Sequence, residues 1–206
     1  MKTLNNGIEK NILFSQLSLA IIPLGICINI VIGTLANMLK VPIYLDAIGT
    51  IMVTLLIGTR AGVLVGVGSF LLAGILVNPV LPWFSGTQAA IAVYVGWVAG
   101  RGFFKNNIRT IIAGIGLGIL AGIVSAPVII YLFGGITGSG SSFLTAYLLA
   151  SGNKMINSVF LSGMASEPID KTFQCLIAIW MIRSIPISVL SRFNNEKLNR
   201  NDFLKS

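Results

Sequence analysis

Histidine is absent from the 206 residues of this chain, and only two cysteines, Cys27 and Cys175, are present. Without histidine there is no HExxH metalloprotease, no His-based catalytic triad and no histidine-ligated metal site. The cysteines lack metal-ligand spacing and are interpreted as small apolar residues. The glycine-rich segment 134–140 contains no lysine, so it is interpreted as a flexible outer connection and not as a phosphate-binding loop. We therefore expect no catalytic residues, no metal and no cofactor.

Charged residues are also scarce. They make up 10% of the chain against 55% hydrophobic residues, whereas an ordinary soluble domain has about 25% charged residues. The mean hydropathy is +0.90. This composition predicts an all-α integral membrane protein, with residues 1–206 forming a single transmembrane domain.

Apolar stretches bounded by charge, proline or glycine predict a compact bundle of six membrane spans, since a helix needs about 20 residues to cross the hydrocarbon. The spans are Leu13–Met38, Leu45–Ile57, Ala61–Val77, Trp83–Gly100, Ile108–Phe133 and Thr172–Leu190. The second is too short to cross alone, and merging it with the third would leave five spans. Small residues recur every four positions in the third, fourth and fifth spans, which predicts close internal helix packing or a docking face for another membrane subunit.

The distribution of positive charge favours six spans. With the N-terminus inside, 11 of the 14 Lys and Arg residues are cytoplasmic, and only Lys40, Lys154 and Lys171 are outside. Because Lys and Arg near span ends resist translocation, we expect residues 1–12 and 191–206 to be cytoplasmic tails. The same bias accounts for the net charge of +8. We expect a lipid bilayer around the chain and no nucleic-acid partner.

Outside the tails the acidic residues are Asp46, Glu167 and Asp170, all predicted at the outer ends of spans. Asp46 precedes a helix, where its carboxylate can cap the first backbone N–H groups, or it can bind a ligand. Glu167 and Asp170 around Pro168 indicate the start of a helix, where acids favour the dipole. Lys171 either pairs with an acid of that turn or contacts a ligand carboxylate.

Aromatic and amide side chains accompany these acids in the outer loops. They are Tyr44, Asn78, Trp83, Phe84, Gln88, Tyr131, Tyr147, Asn153 and Asn157. Trp and Tyr at span ends ordinarily form an interfacial belt, and the alternative is contact with a ligand. The amphipathic segment 142–160, between the fifth and sixth spans, is too polar to span and predicts a lid over the bundle.

Three local patterns resemble the substrate-binding S components of energy-coupling factor (ECF) vitamin transporters: PIYLDAIGT at 42–50, GTRAG at 58–62 and EPIDKT at 167–172. The resemblance covers residues 13–190. It implies a multi-pass protein of the bacterial plasma membrane that binds a water-soluble vitamin or precursor at the extracellular face. It also implies docking on an energising transmembrane subunit with two cytoplasmic ATPases. Many members dock through an Ala-xxx-Ala face of the first helix, for which Gly25, Asn29 and Gly33 are the nearest ladder here.

On this interpretation the three acids favour a ligand with an amine, a pyridinium or several hydroxyl groups, and Tyr44, Trp83 and Phe84 can stack on its ring. Thiamine precursors and vitamin B6 forms fit that description. Other function classes stay open: a membrane sensor or interaction module, and a transporter working alone. The latter is disfavoured because no acid is predicted in mid-membrane. An intramembrane enzyme would need a nucleophile and a base within reach, which the acids do not provide.

Overall fold

The computed structural model describes residues 16–40 and 42–190, so both predicted tails lie outside the described residues. The elements in that part of the chain are helical, without strands, which confirms the all-α prediction. The helices are α1 (Gln16–Met38), α2 (Ile48–Leu56), α3 (Thr59–Leu76), α4 (Ser85–Ala99), α5 (Asn107–Phe133), α6 (Ser141–Ala150), α7 (Met155–Arg183) and the short α8 (Ile187–Leu190). Short 3-10 turns, Leu81–Phe84 and Phe103–Lys105, precede α4 and α5.

Three helices of the described chain are long and apolar enough to cross a membrane. They are α1, over Leu19–Met38, α3 and α5. They coincide with the first, third and fifth predicted spans, as expected of an integral membrane protein. The six-span count and the side on which the termini lie stay predictions.

Helix α2 corresponds to the predicted second span, and it lies at the centre of the bundle. All nine of its residues are buried, and it packs against α1, α3, α4 and α7. Nine residues rise only about 14 Å, roughly half the hydrocarbon thickness. A helix that is apolar on every face is stable when other helices surround it, which explains the short apolar run.

The largest difference from the predicted spans concerns the sixth. Its helix, α7, begins at Met155 instead of Thr172 and ends at Arg183. Glu167, Pro168 and Asp170 therefore lie near the middle of a 29-residue helix, and the predicted helix start there is wrong. Proline is tolerated inside membrane helices, and in α7 Thr172 Oγ1 donates a hydrogen bond to the Pro168 carbonyl at 2.6 Å.

The segment 142–160 is not one continuous lid. Most of its first half is helix α6, which packs on α7 and buries Ser142 and Thr145. Its second half is the first turns of α7. The two parts are joined by a tight connection, in which Gly152 has a φ of +85°. The amphipathic character of the segment thus reflects packing on α7.

Glycines on α5 allow it to pack against α7 more extensively than any other pair of the described elements. A Cβ on Gly118 would lie 2.3 Å from the Pro168 Cα, and one on Gly114 would lie 2.5 Å from the Thr172 Cα. The small-residue ladder of the fifth span therefore serves internal packing. It also holds the acidic turn of α7 beside the middle of α5.

The ladder on α1 also packs internally over part of its length, and docking of a partner on this face stays a prediction. A Cβ on Gly25 would lie 2.8 Å from Val53, and one on Gly33 would lie 3.2 Å from Asp46. Asn29, between them, is 2% exposed. Gly25 and Asn29 are thus covered by other parts of the same chain, whereas Gly33 is partly exposed.

Candidate functional site

A partly open cavity lies at the end of the bundle where α1, α3 and α5 terminate. It has a chamber of about 420 Å³ and an adjoining one of about 90 Å³. The residues that line both chambers are Asn37, Tyr44, Asp46, Phe70, Asn78, Leu81 and Ser139. Clefts of about 300 to 1,000 Å³ are typical of sites for small organic ligands.

One wall of the cavity is the connection between α1 and α2, which α7 holds in place. Asp170 Oδ1 accepts the backbone N–H groups of Tyr44 at 2.9 Å and Leu45 at 3.0 Å. The Ala47 N–H donates to Gln174 Oε1 at 2.8 Å. Leu45 has a φ of +52°, a left-handed conformation that a side chain with a Cβ adopts only at a cost. These bonds fix the connection in that conformation.

Lys171 lies at the centre of the acidic residues. Its Nζ is 2.7 Å from Asp170 Oδ2, 3.0 Å from Asp46 Oδ1 and 3.6 Å from Glu167 Oε2. The lysine is 2% exposed and Asp170 is fully buried. With every carboxylate ionised, three negative charges face one positive charge. The floor of the cavity is therefore negative, although Lys40 also lines the larger chamber.

The three carboxylates differ in how completely they are paired. Asp170 accepts four hydrogen bonds. Two come from backbone N–H groups, one from the Lys171 ammonium and one from the Gln174 amide, the last at 2.7 Å. Asp46 accepts from Lys171 and keeps 22% of its side chain exposed. Glu167 Oε2 is buried without a hydrogen-bond partner, as is Thr87 Oγ1. Both residues line the smaller chamber.

Tyr44 separates the chambers from the hydroxyl-rich end of α6. Its hydroxyl hydrogen-bonds Ser141 Oγ. Removal from water, together with the nearby Glu167 charge, raises the pKa of the Tyr44 hydroxyl, so it stays neutral. The Lys171 Nζ lies 5.5 Å from the centre of the Tyr44 ring, so the ring supplies an aromatic wall beside the charged cluster.

The N-terminus of α2 is capped from another helix, and the capping role predicted for Asp46 is wrong. The N-cap residue of α2 is Ala47, and its own side chain makes no capping hydrogen bond. Asn29 Oδ1 accepts instead from the N–H groups of Gly49 at 2.7 Å and Thr50 at 3.4 Å. Asp46 is therefore left to face Lys171 and the cavity.

Gln88 connects that network to the cavity. Its Oε1 accepts from Thr50 Oγ1 at 3.1 Å, and its Nε2 donates to the Asp46 carbonyl at 3.3 Å. Gln88 is 2% exposed yet lines the smaller chamber. The Gln88 amide thus holds the Asp46 backbone in place and forms part of the wall of the smaller chamber.

The cavity brings together about half of the side chains predicted to bind a ligand. Those that line it are Tyr44, Asp46, Asn78, Phe84, Gln88 and Glu167. Asp170 lies behind them as a fully buried clamp. Trp83 and Tyr131 are 60% and 83% exposed and line neither chamber, a position that fits the interfacial belt. Asn153 and Asn157 are exposed beside α6 and also lie away from the cavity.

Other lining residues had no recognisable signal in the sequence. They are Asn37, Phe70, Thr87, Ser125 and Ser139. Phe70 and Ser125 lie inside apolar spans, where the residue type does not tell whether a position faces lipid or the cavity. Ser139 belongs to the glycine-rich segment 134–140, and its hydroxyl lies 2.9 Å from Thr137 Oγ1. Lys171, which contacts all three acids, was recognisable only by its place beside Asp170.

Comparisons of the chain with protein-family models, curated proteins and solved structures found no match. Function is therefore argued from the cavity and its charges. The cavity combines a negative floor with aromatic and aliphatic walls. Such a site can bind a small molecule that has a positively charged or hydrogen-donating edge.

Proposed function

We propose that this chain is the substrate-binding subunit of an energy-coupling-factor importer in a bacterial plasma membrane. Its ligand is a water-soluble vitamin or vitamin precursor, captured at the outer face and released inside after docking on an energising membrane subunit with two ATPases. The observation that carries the proposal is the two-chambered cavity with Asp46 and Glu167 in its lining. The local sequence patterns around those two residues support the family assignment.

Several features of the cavity support binding of a ring compound. Tyr44, Phe70 and Phe84 line the smaller chamber, and Phe84 is itself backed by Phe133, with 6.0 Å between ring centres. A stacked pair of aromatic rings is a rigid surface against which a flat ligand can pack. Asn78 and Gln88 supply amides at the same wall. The described residues around the cavity fit binding better than catalysis, since the acids surround a lysine that is itself paired.

Two measurements on the full chain test the proposal. Native mass spectrometry of the protein purified in mild detergent should detect a bound vitamin-sized ring compound, because tight binders retain their ligand. Reconstituted alone in liposomes, the chain should give no concentrative uptake of that compound, with or without internal ATP. Uptake should appear when the energising subunit and its ATPases are added. Retention of lipid alone, with no small-molecule binding, would contradict the proposal.

One observation favours a second candidate, a proton-coupled transporter that works alone. Glu167, Asp170 and Lys171 lie near the middle of α7, beside Gly118 near the middle of α5. Buried ionisable groups at such a depth are typical of proton pathways. The liposome experiment separates the two candidates, since uptake driven by an imposed proton gradient without partners would establish the second.

A further inference from the structure

We propose that Glu167 is the anchor of the ligand, and that the group it binds is a nitrogen-borne cation with N–H donors, such as a protonated amine or an amidinium. This inference rests on the proposed function in one respect, that the cavity is a binding site. It assigns different roles to the three acids and narrows the chemical class of the ligand.

The first step is that Lys171 is already hydrogen-bonded within the protein. Its ammonium hydrogen-bonds Asp170 at 2.7 Å and Asp46 at 3.0 Å. Its distance to Glu167 Oε2, 3.6 Å, is within ion-pair range but beyond a hydrogen bond. The lysine and the two aspartates form a closed set within the protein, and Glu167 lies at its edge.

The second step is that Glu167 is buried without being satisfied. It is 7% exposed, and its Oε2 has no hydrogen-bond partner. An ionised carboxylate in that position is costly unless a donor is supplied, because its lost hydration is not replaced. The residue lines the smaller chamber. A ligand entering that chamber therefore meets the Glu167 side chain, whose buried Oε2 the protein leaves without a donor.

The third step concerns the charge of the donor. The cluster has three carboxylates and one ammonium, so a neutral donor would satisfy the geometry of Glu167 but leave the excess negative charge in place. A cation with N–H groups both donates to Glu167 and offsets the excess negative charge. Charge-assisted hydrogen bonds are also about twice as strong as neutral ones. Asp170 accepts four hydrogen bonds already and has no exposed surface, and Asp46 accepts from Lys171. Glu167 differs from both in having a buried oxygen without a hydrogen-bond donor.

The fourth step distinguishes an organic cation from an inorganic one. The smaller chamber is lined by Phe84, Ile91 and Ile129 as well as by hydroxyl, amide and carboxylate groups. Among the described residues, however, no three His, Cys, Asp or Glu side chains are placed to hold a metal ion. Thr87 also lines this chamber, and its buried Oγ1 is a second polar atom without a hydrogen-bond partner. Aromatic and aliphatic walls, side-chain amides and two polar atoms without partners suit a ring that has a cationic edge and a further polar substituent.

The experiment uses the full chain in detergent and two matched pairs of probes, each differing in charge at one group. The pairs are pyridoxamine with pyridoxine, and benzamidine with benzamide. Titration calorimetry should show the cation of at least one pair binding about tenfold more tightly than its neutral partner. Glu167→Gln keeps the shape of the side chain and should weaken cation binding about tenfold to hundredfold. It should leave binding of the neutral probe nearly unchanged.

Two controls accompany that variant. Glu196→Gln removes the same charge from a position outside the described residues and should leave the cation preference intact. Thr87→Val removes the open hydroxyl with little change in volume and should weaken binding by severalfold, about one hydrogen bond. If Glu167→Gln does not fold, the preference of the wild-type chain for cations and the Thr87→Val result decide the matter.

The outcomes separate this inference from the proposed function. Equal binding of both members in each pair, or an unchanged cation preference in Glu167→Gln, overturns the anchor and leaves the binding subunit standing. Displacement of the probes by sodium, potassium or magnesium chloride at matched ionic strength, lost in Glu167→Gln, would identify an inorganic cation and also overturn it. If no probe binds, the compound retained in native mass spectrometry decides: a neutral or anionic compound overturns the anchor, a cation with N–H groups supports it, and no compound at all overturns both proposals.

Discussion

The Oδ1 atom of Asn29 accepts a hydrogen bond from the backbone N–H of Gly49 at 2.7 Å, so a side chain of α1 caps the buried N-terminus of α2. The same amide donates to Thr50 Oγ1 at 2.8 Å and to Ser69 Oγ at 3.1 Å. One residue thereby joins α1, α2 and α3. Because the first N–H groups of a helix have no partner within it, this contact allows the short α2 to begin inside the bundle.

Asn29→Leu should be strongly destabilising. It removes the cap and leaves buried hydroxyl and N–H groups unsatisfied. We expect a loss of about 2 to 4 kcal/mol, seen as a lower melting temperature in detergent. Asn157→Leu, at an exposed position of α7, is the matched control and should change the melting temperature little. Equal effects of the two variants would contradict the capping role.

Gly49→Ala should prevent α1 and α2 from packing as they do. An added Cβ would lie 2.0 Å from the Gly25 carbonyl oxygen, and backbone on both sides cannot move aside cheaply. We expect a fall in folded yield or in melting temperature. Gly86→Ala is the control, since a Cβ there meets nothing within 4 Å. In a helix that change should be neutral or stabilise by about 0.5 to 1 kcal/mol.

Lys171→Met should destabilise the protein more than any surface lysine substitution. Removing the ammonium leaves Asp170 buried and without its cationic partner, at a cost of about 3 to 5 kcal/mol. The exposed Lys154→Met is the control and should have little effect. Adding Asp170→Asn to Lys171→Met should recover part of the loss, because the uncompensated charge disappears. A double variant less stable than the single one would contradict the charge argument.

The six-span topology predicts which ends of the bundle face outward. After Cys27→Ala, a cysteine at Ser151 should react with an impermeant maleimide in intact cells, and one at Ser184 should react only after the cells are opened. Both positions are exposed in the structure, and Cys175 is buried. Labelling of the Ser184 position in intact cells would exclude the predicted orientation.

The site was only partly predictable from the sequence, and α7 shows why. Glu167-Pro168 has the composition of a helix start, since acids and proline favour the first turn. Inside a bundle, the glycines of α5 allow α7 to pass closely at Pro168 and at Thr172. A pattern read along the chain contains neither contact, so the start of the helix was misplaced.

The sequence by itself determined the helical class and the apolar helices α1, α3 and α5, and it pointed to the three acids outside the tails. Composition and long apolar runs directly reflect what a bilayer and a bundle require. Only the tertiary structure decided the use of each acid. Asp170 became a clamp, Asp46 the partner of Lys171, and Glu167 the open acceptor, since pairing depends on which groups residues far apart in the chain bring within hydrogen-bonding distance. The same holds for Asn29, whose role as a cap exists only where α1 crosses the start of α2.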